Sequence, residues 1–497
     1  MKHVILIIVH LCISLVWVKA QQQGILTVCG SWEGYQLPDV GKVDENLPAI
    51  EVYEKHIIPD AINYHKSYSL EIKQDSFYTT VPITKSHQYI RIANVGKTRG
   101  ERLSFGSLFL VRPGDSIHID IYEDKPLAFS SSNKLIELQF QLAMLGRKPL
   151  VKSLSRQVEE DLHSGLSEIE KRLNIACQLW ESYSNDVDND MLLLCQQNFR
   201  YQLLSTLCQR LYNDVYFGDV SLLYPELIEK VSSAFKLYQQ VPDKHFIDQT
   251  VSYLSFQYYL HLTLGTMQAI IDGTGRGDYL QLAEFTYRSI LQIPDVYVRD
   301  RTLNLFFKRS NDFYKSGQSG VPLLKEAISV TRDLDAKQEL EQRLVSLSGG
   351  QKTPDFSFFD QQGNAVSLSE FRGKVVVAHF WFLGCVPCIK LTKAFEPLVK
   401  SYGDHSEIVF LNINVDREQK KWKSGLQSGN YHHPQEKLLH TGISGMSHPM
   451  LRYFEFFSVP ELVVIGKDGS VVSKRPEGHG SNGEITALDR ILTRLIN

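Results

Sequence analysis

Phe380-Trp381-Phe382-Leu383-Gly384-Cys385-Val386-Pro387-Cys388 is the stretch on which the reading of this chain turns. It follows Lys374-Val375-Val376-Val377-Ala378-His379, a β-branched run with the character of a buried strand. It precedes Ile389 to Lys400, where Leu391, Phe395, Leu398 and Val399 recur at helical spacing. A strand therefore runs into a helix, with two cysteines at the corner. Side chains three apart share one helix face and can be bridged without moving the backbone. Cys385 is expected at the helix N-terminus, where free amides and the helix dipole favour a thiolate. Cys388 is expected one turn inside and less exposed. This order makes Cys385 the attacking sulfur and Cys388 the resolving one of a redox-active disulfide. A structural zinc site would need a second ligand pair at similar spacing, and no second Cys-x-x-Cys exists, so no metal is expected.

At 497 residues the chain is too long for one core, and two to four domains are expected. Its composition, 43% apolar and 22% charged, is that of ordinary globular domains, and a formal net charge of -3 gives nucleic acid nothing to bind. The first twenty residues differ. Lys2 and His3 precede an apolar run from Val4 to Val18, and Val18-Lys19-Ala20 offers a cleavage site before Gln21. Residues 1–20 read as a signal peptide, and the apolar run is short for a membrane span. Periplasm or cell envelope is the expected location; association with a membrane is left open. Val28 before Cys29 makes a poor lipoprotein box.

Residues 24–128 read as β. Ile117, Ile119 and Ile121 alternate with polar residues behind the Pro113-Gly114 turn, and further strands are expected at Tyr68–Ile72, Phe77–Val81, Ile90–Val95 and Leu103–Val111. Several strands without intervening helices suggest an antiparallel sandwich or barrel, and a β-sandwich is the expected fold. No catalytic grouping is evident there, and Cys29 has no evident partner. On Leu108-Phe109-Leu110-Val111-Arg112-Pro113-Gly114-Asp115 and Asp75-Ser76-Phe77, this segment resembles the β module that precedes thioredoxin-like domains in many bacterial envelope proteins.

Residues 133–347 turn helical. Val158, Leu162, Leu166, Ile169, Leu173, Ala176 and Trp180 form one apolar stripe, and similar patterns continue to Ile293, giving an all-α domain. Asp186, Asp188 and Asp190 imitate a calcium loop, but Met191 and Gln197 stand where Gly and Glu should be; a solvated turn and helix cap is the better reading. Gly273, Gly275 and Gly277 have no preceding strand and read as an inter-helix loop. Cys177 and Cys195 lie symmetrically about the Asp186 turn, where either a disulfide or two core thiols would fit. Residues 348–353 read as a linker.

From residue 354 to 497 a βα order with a late hairpin is expected, the hairpins centred on Asp360–Asn364 and Lys467-Asp468-Gly469. Thr353-Pro354-Asp355-Phe356, Leu368-Ser369-Glu370-Phe371-Arg372-Gly373-Lys374, the Cys385 motif and Val459-Pro460 together resemble the TlpA/ResA branch of thioredoxin-like thiol-disulfide oxidoreductases. The resemblance implies a thioredoxin fold, Pro460 as a cis proline beside the cysteines, and Trp381 packed under the disulfide. Gly384 departs from it, since the family usually carries Trp there, and Val386-Pro387 supplies no charge between the cysteines. His379 occupies the position of the family's buried polar group. It reads either as a proton relay to Cys388 or as a histidine satisfied by backbone. Leu426 to Ser458, with His432, His433, His440 and His448, reads as a polar surface loop.

Three functions compete at this stage. The leading one is an exported disulfide reductase that needs no cofactor, acts on disulfide-containing or dithiol proteins and draws on an upstream dithiol electron donor, as the resemblance implies. The second is a peroxiredoxin-like peroxidase, against which Trp381 and Cys385 stand where that motif needs Pro and Thr. The third is a non-catalytic scaffold with a structural cysteine pair, resting on the size of the first 347 residues.

Overall fold

The computed structural model describes residues 24–33, 49–53, 65–69, 71–73, 76–93, 108–122, 128–147, 149–151, 157–242, 251–310, 312–313, 316–348, 350–454, 456, 459–474 and 482–496. The expected signal peptide lies outside them. The chain divides into two compact units, Met1–Thr263 and Leu264–Asn497.

The first unit opens with strands β1 (Ile25–Glu33), β2 (Ala49–Tyr53), β3 (His65–Ser69), β4 (Glu71–Lys73), β5 (Ser76–Pro82), β6 (Gln88–Ala93), β7 (Phe109–Val111), β8 (Ser116–Tyr122) and β9 (Ala128–Ser131). They make a sheet of order β4-β5-β1-β8-β9 and a second of order β3-β2-β6-β7. Leu26, Val28, Phe77, Val81, Ile117 and Ile119 of the first sheet and Ile50, Val52, Ile90, Ile92, Phe109 and Val111 of the second fill one core. Alternation along each strand produces this, because every second side chain faces the same way. The expectation of wholly antiparallel pairing needs correction: β1 and β8 run parallel, Cys29 opposite His118. A two-residue turn forces antiparallel neighbours, but more than eighty residues separate these strands, so nothing local sets their sense.

Helices α1 (Lys134–Gly146), α2 (Val158–Tyr183), α3 (Asn189–Phe217) and α4 (Pro225–Phe235) follow in this unit, and α5 (Val251–Ile271) carries the boundary between the units. Asp188 caps α3 by accepting from the Asp190 and Met191 amides, as the turn reading expects. Cys177 is exposed and Cys195 buried, and neither is in a disulfide. Cys195 lies on the buried side of α3 and Cys177 on the solvent side of α2, so symmetry about the turn yields neither a disulfide nor two core thiols.

In the second unit α6 (Tyr279–Leu291), α7 (Val296–Arg309), α8 (Val321–Val330) and α9 (Leu334–Ser348) precede strands β10 (Ser357–Phe359), β11 (Ala365–Ser367) and β12 (Val375–Trp381). Helix α10 (Val386–Tyr402), β13 (Ile408–Asn414), α11 (Gln419–Gln427), β14 (Lys437–His440), α12 (Pro449–Tyr453), β15 (Glu461–Ile465), β16 (Val471–Lys474) and α13 (Asn482–Ile496) complete it. The sheet order is β11-β10-β14-β13-β12-β15-β16. Strand β12 is central, parallel to β13 and antiparallel to β15. Its even residues Val376, Ala378 and Phe380 enter one core, while Val375 and Val377 enter another with Leu391, Phe395, Leu398, Leu488 and Leu492 of α10 and α13. A strand covered on both faces reads as a continuous apolar run, which is why Lys374–Phe382 stood out. The linker segment is held rather than loose: Gly350 donates to the Val471 carbonyl, Thr353 to that of Gly469, and Lys352 pairs with Ser470.

Candidate active site

Strand β12 ends at Trp381 and the chain turns through Phe382, Leu383 and Gly384 into α10. Gly384 sits at φ 94° with open space around it. That left-handed conformation suits glycine, and a Trp in its place would be strained. Cys385 is the N-cap of α10, its sulfur accepting from the Cys388 amide at 3.1 Å. Cys385 and Cys388 form a disulfide with Cα atoms 5.3 Å apart. Pro387 lies in the first turn, where the missing N–H costs nothing. The difference in exposure expected between the sulfurs is not found: Cys385 is 3% and Cys388 2% exposed. Oxidised, both are tucked against Trp381, Trp422 and Tyr431, and the surface around them is formed by Phe382, Leu383 and Val386, the last 60% exposed.

The Val459–Pro460 peptide is cis, and the Val459 carbonyl oxygen lies 3.9 Å from Cys385 Sγ. Trp381 is fully buried in the cluster that holds both cysteines. His379 is buried too, but it is not satisfied by backbone: its Nε2 lies 2.8 Å from Glu436 Oε1. Asn412, opposite His379 on β13, ties this pair to the disulfide cluster. Its amide nitrogen donates to Glu436 Oε2 at 3.0 Å and to the Tyr431 carbonyl at 2.6 Å, while its oxygen accepts from the Trp381 indole. Burial pushes the Glu436 carboxyl upward, but the charge and hydrogen bond of His379 and the His433 amide outweigh it and hold the group below its usual range.

The segment Leu426–Ser458 corrects the expectation of a polar surface loop. Tyr431, Glu436, His440 and His448 are all buried. Tyr431 stacks on Trp381 at 4.4 Å between centroids, and its hydroxyl accepts from the Gly384 amide at 2.9 Å. Asp416 accepts from the Leu383 amide at 2.8 Å. Both amides ahead of Cys385 are thus held by side chains from outside the motif. His440 stacks on Trp422 and bonds the Asp416 carbonyl, and His448 bonds that of Ser357. Aromatic packing and a hydrogen bond at each ring nitrogen, with the Gly442 and Met450 amides donating to Nδ1 of His440 and His448, leave neither imidazole a free lone pair for a ligand, and no His/Cys/Asp/Glu cluster fit for a metal occurs among the described residues. Composition alone called this segment polar, because its histidines and glutamate count as polar even when they pair inside. Sequence reasoning missed Tyr431, Glu436 and Asp416; only Asn412 and Asn414, polar residues inside the apolar strand Ile408–Val415, left a visible signal.

A cap-positioned disulfide beside a cis proline, on a central parallel strand pair, is an arrangement able to exchange two electrons with another dithiol. Residues 349–474 match the AhpC/TSA family, and the C-terminal region is a thioredoxin-like domain of that kind. Its similarity to curated proteins is to thiol-disulfide oxidoreductases and their relatives. Thioredoxin-like protein YneN of Bacillus subtilis is 33% identical over 84 residues, 17% of this chain and 49% of that protein. Thiol-disulfide oxidoreductase ResA of Bacillus cereus is 25% identical over 125 residues, 25% of this chain and 68% of ResA. The chain spans about half the length of YneN. A crystal structure of a putative thiol-disulfide oxidoreductase from Bacteroides vulgatus is 26% identical, covering 30% of this chain and 96% of that one with a TM-score of 0.25.

Proposed function

We propose that this protein is an exported thiol-disulfide oxidoreductase that reduces disulfides of envelope proteins through Cys385 and Cys388. The observation that carries the reading is the Cys385–Cys388 disulfide at the N-terminus of α10. Reduced Cys385 attacks a partner disulfide, and the partner's leaving thiolate takes up a proton. Cys388 then attacks the Cys385 sulfur, releasing the partner reduced and restoring the internal disulfide. An upstream dithiol donor returns two electrons. The helix N-terminus and the Cys388 amide stabilise the Cys385 thiolate. Pro460 and the Val459 carbonyl line the place where the partner's backbone docks. His379, held by Glu436, is the proton relay for Cys388 in this reading. Localisation rests on residues 1–20, and among the described residues no helix is long and apolar enough to cross a membrane.

The test is a redox titration against a dithiol buffer, following Trp381 fluorescence, with Cys385→Ser as control. A two-electron transition near about -270 mV or below makes the protein a reductase, and one near about -120 mV makes it a disulfide donor. No transition attributable to Cys385 ends the oxidoreductase reading. The AhpC/TSA match favours a second reading, a peroxidase; consumption of peroxide with no disulfide partner present would establish it instead.

A further inference from the structure

The outer face of the first sheet carries a thiol that the redox site does not use. On β1, Leu26 and Val28 point into the core, so Cys29 and Ser31 face the other way. The parallel register with β8 sets Cys29 beside His118 and Ser31 beside Asp120. Cys29 Sγ lies 3.4 Å from His118 Nδ1, and His118 Nε2 lies 3.0 Å from the Asp120 carboxylate. Asp120 is itself fixed, its Oδ1 accepting from Ser31 Oγ at 2.6 Å. One imidazole therefore has a thiol at one nitrogen and a carboxylate at the other. Asp120 holds the Nε2–H tautomer, which turns the Nδ1 lone pair toward the thiol. This is the nucleophile, base and orienting acid of covalent catalysis. The His118 side chain is 40% exposed and Cys29 half-buried, between Tyr78 on β5 and His118 on β8.

We propose that Cys29, His118 and Asp120 form a second thiol-disulfide exchange site, whose co-substrate is a low-molecular-weight disulfide. As the Cys29 sulfur attacks one sulfur of R–S–S–R, its proton passes to His118 Nδ1. The Cys29–S–S–R bond forms, and the S–S bond breaks with its electron pair leaving on R–S⁻. That thiolate takes the proton back from the imidazolium, which Asp120 stabilises meanwhile. One disulfide is exchanged for another, so no further oxidant or reductant is needed. Burial and the Asp120 charge push the Cys29 thiol up to about 11, so little thiolate stands ready at neutral pH and the base is required. Attack on a carbonyl would need donors for an oxyanion, and β1 is committed to ladders on both sides at Cys29. Disulfide exchange keeps the developing charge on sulfur.

The test uses the full chain carrying Cys385→Ser and Cys388→Ser, incubated with oxidised glutathione and followed by peptide mass mapping. Exposed Cys177 serves as internal standard. Cys29 should acquire glutathione at a rate that falls at least about tenfold in His118→Ala, with Cys177 unchanged. Added imidazole should restore the Cys29 rate in that variant, which a misfolded sheet would not allow. Cys29 left unmodified, an equal rate with and without His118, or a loss that imidazole does not restore would each overturn the site.

Discussion

Tyr431 does three things with one residue: its ring covers Trp381, its hydroxyl holds the Gly384 amide and its carbonyl holds Asn412. Tyr431→Phe keeps the stack and removes one hydrogen bond, so a loss of about 1 kcal/mol is expected in urea unfolding. Tyr431→Ala also empties the space under Trp381 and should cost about 3–5 kcal/mol; equal losses for the two variants would show that the ring does not support the site. Glu436 is the acceptor for His379 Nε2, Asn412 Nδ2 and the His433 amide in a site closed to water. Glu436→Ala strands those donors at about 1–3 kcal/mol each. A stability loss of at least about 3 kcal/mol is expected, against a smaller one for Glu436→Gln, which keeps an acceptor. Neither Tyr431 nor Glu436 was legible in the sequence, because a tyrosine and a glutamate in a polar stretch carry no periodicity that distinguishes inside from outside.

At the scale of elements, α11 presses Gly425 against the Trp381 ring, where a Cβ would meet ring carbons at 2.5 Å. Alanine would favour the helix by about 0.5–1 kcal/mol relative to glycine, but forcing the ring aside costs about 1–3 kcal/mol. Gly425→Ala is therefore expected to lower stability and shift Trp381 emission, and a more stable variant would show that α11 has room to yield. The elements themselves were readable wherever one physical pattern dominated. The apolar run at β12 marks a strand buried on both faces, and the i, i+3, i+4 rows of α2 and α10 each name a single buried surface. The parallel sense of β1 and β8 was not readable, since strand alternation is identical for either direction.

Across the whole molecule, burial sets a pH limit. His440 and His448 are buried, and desolvation, only partly offset by their bonds to the Asp416 and Ser357 carbonyls, lowers both below the usual histidine range. In the unfolded chain they take up protons near pH 6.5, so the unfolded state binds more protons and stability falls as pH drops through that value. Glu436, held below its ordinary 4.5, adds a second loss as pH falls below about 4.5 toward its folded value. The melting temperature should decline in two stages between pH 8 and pH 3, and a level profile down to pH 5 would contradict the neutral buried imidazoles.

The order of strands and helices around Cys385, the cap position of that cysteine and the two-sided burial of β12 follow from the chain alone. Each depends on neighbours close in sequence, where spacing converts directly into geometry. The surroundings of the disulfide were decided elsewhere. Tyr431, Glu436 and Asp416 reach it from 31 to 51 positions down the chain, and His118 reaches Cys29 from 89 away. Such meetings depend on which strands pair and in which register, and only the folded sheets settle that.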